Sequence, residues 1–308
     1  MDIYLHHYPV SLFSEKIRLL LGYLGASWHS VEIPSIMPRP LLMPLSGGYR
    51  RTPVLQIGAN VYCDTAVIAR ALARHFCDEK LFSPGFTANR VAEWADTQLF
   101  RVTVALNFRP EAVAGFMSQL SVEEIAAFQN DRAELVGDAP MVAFSPEAAQ
   151  AYLSTYLDQA DRSLDGAFLF GDTPCIADFS LYHCLWFLEN NPVNASLLDD
   201  HPNVRAWMGT MAGFGHGSFT ESRGEDALDH ARRAVPVVPE LAAGSVSGPA
   251  MPEVGQRVAV TPADYGRVPV AGTLVAWDWE EVVIAREDPA TGLLLNHFPM
   301  AGFEVSPG

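Results

Sequence analysis

The first 80 residues alternate between strand-like runs and helical periodicity. Residues 2 to 6 and residues 27 to 33 predict strands, and between them apolar residues recur at helical spacing from Phe13 to Leu24, where Gly25 marks the helix end. A Pro-rich connection over residues 34 to 51 leaves room for at most one helical turn. Residues 53 to 63 predict a hairpin around residues 58 to 60, and a second helix begins at Asp64.

Strand signals vanish from about residue 87, and long helical patterns replace them. These patterns cover residues 87 to 108, 145 to 164, 175 to 190, 201 to 213 and 221 to 233. The helix within residues 175 to 190 is apolar on nearly all sides, which is typical of a helix at the centre of a bundle. The sequence therefore predicts an all-helical domain over residues 87 to 233.

A third composition begins after the helices. Residues 234 to 255 are rich in Pro, Gly, Ala and Val and predict a linker. Residues 256 to 308 contain five short β-rich runs, which predict a small SH3-like barrel or twisted sheet. So short a segment makes only a marginal core alone. We expect it to dock on the rest, over a face of the helical bundle or at a dimer edge, and an interaction module is the alternative.

The order βαβ and then ββα within residues 1 to 80 has the size of a thioredoxin-like domain. The fold class predicted from sequence is thus a thioredoxin-like α/β domain, an all-α bundle domain and a small all-β appendage. The chain is long enough for two or three domains.

Charge and composition exclude several classes of partner. The 308 residues include 20 Lys and Arg against 36 Asp and Glu, which gives a net charge of -16 and disfavours binding to nucleic acid or anionic membranes. The N-terminus lacks signal-peptide features, and no window approaches the roughly 20 apolar residues of a membrane span. We expect a cytoplasmic protein. The four cysteines have no CxxC or zinc-ligand spacing, so we expect no metal and no disulfide scaffold.

Three short motifs in the first domain could bind an anionic peptide. Ser11 and Ser14 stand at the start of the first helix, where a hydroxyl and free amides favour a thiolate, although Ser11 could be only an N-cap. Thr52-Pro53 precedes a strand, and a cis bond there would turn the main chain of Val54 outward, whereas a trans edge proline is the ordinary alternative.

The third motif is Asp64-Thr65, an acid and a hydroxyl at the start of a helix. Such a pair is often only an N-cap. Pointed at a ligand, Asp64 would accept from an ammonium group while Thr65 and the helix amides hold a carboxylate. That combination recognises the α-amino-acid end of a peptide.

Together the motifs resemble the glutathione S-transferase superfamily over roughly residues 1 to 232. TPVLQIGANVYCDTAVIARAL follows that pattern across its length, with Asp64-Thr65 in place of the usual Glu-Ser. GDTPCIADFSLYHCLWFL is similar to the family's capping-box helix, and HPNVRAWMGTM is similar to a later bundle helix. Cys175 departs from the Ser or Thr that usually begins the capping box.

The resemblance implies an enzyme that binds glutathione as co-substrate and directs its thiolate at an electrophilic small molecule. Its implied catalytic hydroxyl is Ser11, with Tyr8 and Ser14 as alternatives. The residues implied to contact glutathione are Arg51 (or Arg50), Thr52, Pro53, Val54, Asp64 and Thr65. Those implied to line the electrophile pocket are Phe13, Trp94, Phe100, Arg101 and Phe108.

The resemblance also implies a homodimer. Two other functions stay open at this point. One is a glutathione-binding protein of the same fold that has lost turnover. The other is a glutathione-dependent oxidoreductase that uses Cys63, which lies next to Asp64 in the sequence.

Overall fold

The N-terminal region has the predicted thioredoxin-like topology. A computed structural model describes residues 2 to 116, 121 to 139, 143 to 241 and 251 to 308. The first elements along the chain are β1 (Ile3–His7), α1 (Leu12–Tyr23), β2 (Ser27–Glu32), the one-turn α2 (Met43–Ser46), β3 (Val54–Ile57), β4 (Asn60–Cys63) and α3 (Thr65–Phe76). β1 pairs parallel with β2 and antiparallel with β3, and β3 pairs antiparallel with β4.

A helical bundle follows, as predicted. Its helices are α4 (Phe86–Trp94), α5 (Phe100–Asn107), α6 (Pro110–Phe116), α7 (Val122–Val136), α8 (Pro146–Ser163), α9 (Ile176–Glu189), α10 (Pro202–Ala212) and α11 (Gly224–Arg233). A π-helical segment, Ala95–Leu99, joins α4 to α5, so the helix predicted over residues 87 to 108 is nearly continuous. Almost every side chain of α9 is buried, which confirms its predicted place at the centre.

Two parts of this region differ from the sequence prediction. Helices α6 and α7 were not predicted. The strand β5 (Ser218–Glu221) lies between the helices predicted over residues 201 to 213 and 221 to 233, in a domain where no strand was expected, and it pairs parallel with β2. The reason is that β2 would otherwise be an open edge with unpaired main-chain groups. The ring of Phe219 packs 5.1 Å from that of Trp28, which fixes the added strand.

The C-terminal strands form a curled antiparallel sheet. They are β6 (Arg257–Pro262), β7 (Val270–Trp277), β8 (Glu281–Asp288), β9 (Gly292–Pro299) and β10 (Phe303–Pro307). β6 to β9 pair in sequence order, and β10 returns to pair with β6. Because residues 300 to 302 alone connect β9 to β10, the two ends of this sheet lie close together and the five strands curl as in a small barrel.

This appendage is continuous with the N-terminal sheet. β9 pairs parallel with β4, which gives one ten-stranded sheet in the order β10-β6-β7-β8-β9-β4-β3-β1-β2-β5. Tyr49, Val54 and Val61 share a buried cluster with Ile284 and Phe298 of the appendage. The predicted docking is therefore confirmed. The appendage docks mainly on the open edge of β4, which offers unpaired main-chain groups, and it contacts the bundle where the N–H of Gly266 donates to the carbonyl of Leu135 at 2.8 Å.

The predicted domain boundaries at residues 80, 87, 233 and 256 stay predictions. Of the linker predicted over residues 234 to 255, residues 242 to 250 lie outside the described residues. Within the described part of the chain, no helix combines the length and the apolar character that a membrane span needs.

The shared core makes the appendage and the N-terminal region one stability unit. Phe298→Ala removes a fully buried ring from that core, so we expect a loss of about 3–5 kcal/mol in the free energy of unfolding. Urea denaturation followed by circular dichroism and by tryptophan fluorescence should show one transition, shifted equally for both probes. Leu293→Ala, on the same strand but half-exposed, is the control and should change the unfolding free energy by less than about 0.5 kcal/mol. Two separate transitions would contradict the shared core.

Candidate active site

Two adjoining cavities lie where the three regions meet. The large cavity has a volume of about 530 Å³ and lies between the start of α1 and the helices α5 and α7. The groove has a volume of about 290 Å³ and follows the start of α3. Four residues line both, so they form the junction between the two: Phe13, Arg51, Thr52 and Tyr265.

The candidate hydroxyls at the start of α1 have different surroundings. Ser11 is the N-cap of α1, its Oγ accepts from the main-chain N–H of Ser14 at 3.2 Å, and its side chain lines the large cavity. Tyr8 lines the same cavity. Ser14 is fully buried on the inner side of the helix and lines neither cavity, so it cannot reach a ligand there. The geometry leaves Ser11 and Tyr8.

The segment before β3 has the predicted cis bond between Thr52 and Pro53. Val54 is in register with His6 on one side and Cys63 on the other, so it lies between two strands. Thr52 lies outside the strand, and within the described residues its main-chain N–H and C=O have no hydrogen-bond partner. The unpaired main chain at the edge of the groove is therefore that of Thr52, two residues before the predicted Val54.

Arg39 holds this segment in place. Its guanidinium is buried and donates to the carbonyls of Pro34, Ser35 and Arg50 at 2.7 to 2.9 Å. It also donates to the Oγ1 of Thr52 at 3.0 Å. Because a planar guanidinium fixes the direction of all its donors, these four acceptors hold the main chain before β3 rigidly at the edge of the groove.

Asp64 and Thr65 begin α3 inside the groove. The Oδ1 of Asp64 accepts from the N–H of Ala66 at 3.0 Å, so the residue is an N-cap, yet its side chain also lines the groove. Its φ of 104° is a conformation that residues other than glycine seldom adopt, which occurs preferentially at functional positions. Burial raises the pKa of Asp64, and the nearby cation of Arg51 partly offsets that rise.

Arg51 joins the groove to the appendage. Its guanidinium binds the carboxylate of Asp264 and the carbonyl of Tyr265, lies 4.0 Å from the centre of the Tyr265 ring, and is 3.8 Å from the carboxylate of Asp64. Burial raises the pKa of Tyr265 to about 12, so its hydroxyl stays protonated at neutral pH. Sequence reasoning missed Tyr265, because nothing along the chain shows that this loop reaches the N-terminal region.

Arg50 turns away from the groove. It forms ion pairs with Asp131 and Glu134 of α7, each at 3.0 Å. Its guanidinium is therefore already compensated, and Arg51 is the arginine of this pair that lines the groove.

A buried ionic network lies under the groove. The ammonium of Lys16 lies 2.6 Å from a carboxylate oxygen of Asp96 and 3.4 Å from the Oγ1 of Thr65. Asp96 also accepts from His183 at 2.9 Å and from Ser180 at 3.3 Å. Although burial opposes it, Lys16 and His183 hold the pKa of Asp96 below its usual range. The network ties the start of α3 to the centre of the bundle.

The large cavity has mainly aromatic and aliphatic walls. Phe13, Phe100, Arg101 and Phe108 line it, but Trp94 does not, because its ring packs against Tyr156 at 4.9 Å within the bundle. The wall residues that sequence reasoning missed include Phe128, Arg132 and Leu135 of α7 together with Phe144 and Phe187.

A sequence signal could have found α7. Ser121 and Glu124 form a capping box, in which each side chain binds the main-chain N–H of the other residue. The pattern S-x-x-E before an apolar-periodic segment is the usual signature of such a helix start. The N-cap at Cys175 departs from the same pattern, yet Asp178 still accepts from the N–H of Cys175 at 2.9 Å.

The cysteines are all free thiols. Cys63, Cys175 and Cys184 are buried and Cys77 is exposed. Burial raises the pKa of the Cys63 thiol, so its thiolate is disfavoured beside the groove. In the described ranges no group of His, Cys, Asp and Glu side chains is arranged to hold a metal ion.

Comparison with known proteins agrees with this architecture. Residues 5–80 match the profile of the glutathione S-transferase N-terminal domain, and residues 127–210 match that of the C-terminal domain. A solved GST-like protein from Pseudomonas syringae is 39% identical over 99% of this chain and 100% of that chain, with a TM-score of 0.81. The chain belongs to the glutathione S-transferase family. Since that alignment covers nearly the whole chain, the Pseudomonas protein shares the appendage.

More distant glutathione S-transferases share the fold alone. Glutathione transferase F2 from Populus trichocarpa is 15% identical over 68% of this chain and 93% of its own, with a TM-score of 0.51. Poplar glutathione transferase F1 is 14% identical over 69% and 92%, with a TM-score of 0.50. A search of functionally curated proteins gave no match.

The network under the groove gives a stability prediction. Lys16→Met leaves the largely buried carboxylate of Asp96 without its ammonium partner, so we expect the free energy of unfolding to fall by roughly 3 kcal/mol. The double variant Lys16→Met/Asp96→Asn removes the uncompensated charge and should recover more than about 1 kcal/mol of that loss. Urea denaturation of the wild type and the variants measures both. An unchanged stability in Lys16→Met would show that the pair contributes nothing.

Proposed function

We propose that the protein binds glutathione in the groove and promotes attack of its thiolate on an electrophile in the large cavity. The observation that carries this proposal is the junction, where the groove that contains the start of α3 opens into the apolar cavity beside Ser11. A peptide thiol placed at Phe13 and Thr52 would face both the Ser11 hydroxyl and a reactant in the cavity.

The groove supplies partners for an extended anionic peptide. The free main-chain N–H and C=O of Thr52 would pair with the cysteinyl residue as a short added strand. Asp64 would accept from the γ-glutamyl ammonium, while Thr65 and the amides at the start of α3 would bind the adjoining carboxylate. Pro53 closes the groove wall, and Arg51 lines it on the side of the appendage.

The start of α1 would activate the thiol. The Oγ of Ser11 already accepts from Ser14, so its O–H is free to donate to sulfur. A free thiol has a pKa near 8.5, and a hydroxyl donor together with the helix N-terminus lowers it. The thiol proton passes to solvent, and the thiolate then attacks the electrophilic carbon.

The oxidoreductase alternative has little support. Cys63 is fully buried and its thiol pKa is raised, so it is a poor nucleophile. A glutathione-binding protein without turnover differs from the proposed enzyme only in chemistry, so a measurement of turnover separates the two. A homodimer, a cytoplasmic location and a small-molecule electrophile stay predictions.

Binding of glutathione tests the groove. Asp64→Asn keeps an oxygen that can cap Ala66 but removes the charge expected to face the ammonium, so we expect roughly a tenfold or greater loss of affinity. Isothermal titration calorimetry measures it. A glutathione analogue that lacks the α-amino group is the matched control, because it should bind the wild type and the variant equally. An equal loss for both ligands would remove Asp64 from ammonium recognition.

Turnover tests the hydroxyl. Ser11→Ala should raise the thiol pKa of bound glutathione, read from thiolate absorbance against pH, and lower kcat/KM for chlorodinitrobenzene about 10- to 100-fold. Loss of the N-cap should lower stability by only about 1 kcal/mol. Tyr8→Phe is the comparison variant. A loss confined to Tyr8→Phe would transfer the role to Tyr8, whereas wild-type protein that binds glutathione without turnover would show a binding protein.

A further inference from the structure

Four arginines line the large cavity of this acidic protein. Arg50, Arg51, Arg101 and Arg132 line it, and no acidic side chain lines it among the described residues. The residues outside the described ranges include no Asp or Glu, so none of them can supply a carboxylate there. The whole chain has a net charge of -16, which makes this separation of charge notable.

Three of the four arginines are paired with acids that do not line the large cavity. Arg50 pairs with Asp131 and Glu134 at 3.0 Å. Arg132 binds Asp131 as well, and it donates to the carbonyl of Ser35 at 2.8 Å. Arg51 is held by acids of the groove and of the appendage, as described above. Their charges are therefore largely neutralised within the protein.

Arg101 differs from the other three. Within the described part of the chain it has no hydrogen bond, no ion pair and no contact with an aromatic face, although it is half-buried. It shares one face of α5 with Val104 and Ala105, which line the cavity together with Phe108, the residue that follows the helix. The preceding residue, Phe100, contacts Phe13 at the junction, with ring centres 4.9 Å apart. Among the described residues, Arg101 is therefore an unpaired cation in the wall of the large cavity, on the helix that begins at the junction.

We propose that the electrophile is an apolar, aromatic-sized molecule with a carboxylate, and that Arg101 binds this carboxylate. This substrate class rests on the proposed transferase function. A half-buried guanidinium without a partner has lost part of its hydration, and a substrate carboxylate would restore charge-assisted hydrogen bonds. The phenylalanine walls would hold the rest of the molecule, and the uncompensated charge of Arg101 would attract the carboxylate at short range.

For an aryl halide of this class the reaction is a substitution. The glutathione thiolate forms a carbon–sulfur bond at the ring carbon that bears the halogen. The carbon–halogen bond then breaks, and the halide leaves with the electron pair. The thiol proton has passed to solvent, and the substrate carboxylate on Arg101 is unchanged throughout.

A matched pair of substrates tests the proposal. The acid is chloronitrobenzoate, in which an ortho nitro group activates the chlorine, and the neutral counterpart is its methyl ester. Because an ester activates the ring more than a carboxylate does, each kcat/KM is divided by the rate constant of the uncatalysed reaction with glutathione. We expect these normalised values to favour the acid for wild-type protein, and Arg101→Gln to lower the acid-to-ester ratio roughly tenfold. Arg101→Lys retains the charge and should preserve part of the preference. Arg162→Gln removes an equal charge from an exposed part of α8 and should leave the ratio unchanged.

The outcomes separate the two proposals. Turnover of the acid and the ester with a ratio that Arg101→Gln does not change would overturn the role of Arg101 and leave the transferase function standing. If folded wild-type protein turns over none of the three compounds, that is the acid, the ester and chlorodinitrobenzene, the transferase function is overturned. This substrate class would then be overturned with it. If Arg162→Gln lowers the acid-to-ester ratio as much as Arg101→Gln does, the preference follows the net charge of the protein and not a contact with Arg101. That result would also overturn the inference.

Discussion

The buried guanidinium of Arg39 is the interaction on which the groove depends. Residues 50 to 52 precede β3 and lie outside the sheet. A main chain outside regular structure needs hydrogen-bond partners to hold one conformation. Arg39 donates to the carbonyl of Arg50 and to the hydroxyl of Thr52, and it fixes the preceding loop through Pro34 and Ser35. Because these bonds use the carbonyl of Arg50 and the side chain of Thr52, the main-chain groups of Thr52 remain available to a ligand.

The appendage covers the open edge of the N-terminal sheet, and this pairing also places one of its loops at the site. β4 is the last strand of a thioredoxin-like sheet, and its open edge is covered by β9. That pairing brings the loop between β6 and β7 over Arg51, where Asp264 compensates the guanidinium and Tyr265 forms a wall of both cavities. A rigid sheet thus positions a loop at the junction, although the loop is more than 200 residues from Arg51 in the sequence.

Much of the fold followed from local sequence, whereas the site followed only in part. Helical spacing from Phe13 to Leu24 and the Gly25 stop are local signals, and the helix ends at Tyr23 with Leu24 as its C-cap, within one residue of the prediction. The capping box at Ser121 is an equally local signal, so the start of α7 could have been predicted from the sequence. The position of Tyr265 in the site could not be predicted from local sequence, since it depends on strand pairing between distant segments. Trp94 shows the opposite error, because helical spacing cannot tell a residue facing the bundle core from one facing a cavity.

The net charge of a protein determines whether it attracts or repels a large charged surface. Binding of a small ion in a cavity depends instead on the charges and ion pairs of the residues around that cavity. A net charge of -16 repels polyanions, which have many charges within the range of the whole protein's field. A small anion inside a cavity responds mainly to the groups within a few ångströms, because salt screens exposed charges beyond a Debye length of about 8 Å at physiological ionic strength. In the lining of the cavity that contains Arg101, those groups are guanidinium groups and apolar, mainly aromatic, side chains, while the carboxylates of α7 pair with Arg50 and Arg132. An acidic chain can therefore contain a site selective for anions, because the carboxylates near the cavity pair with the other arginines. Those arginines then do not compete with Arg101 for the carboxylate of the substrate.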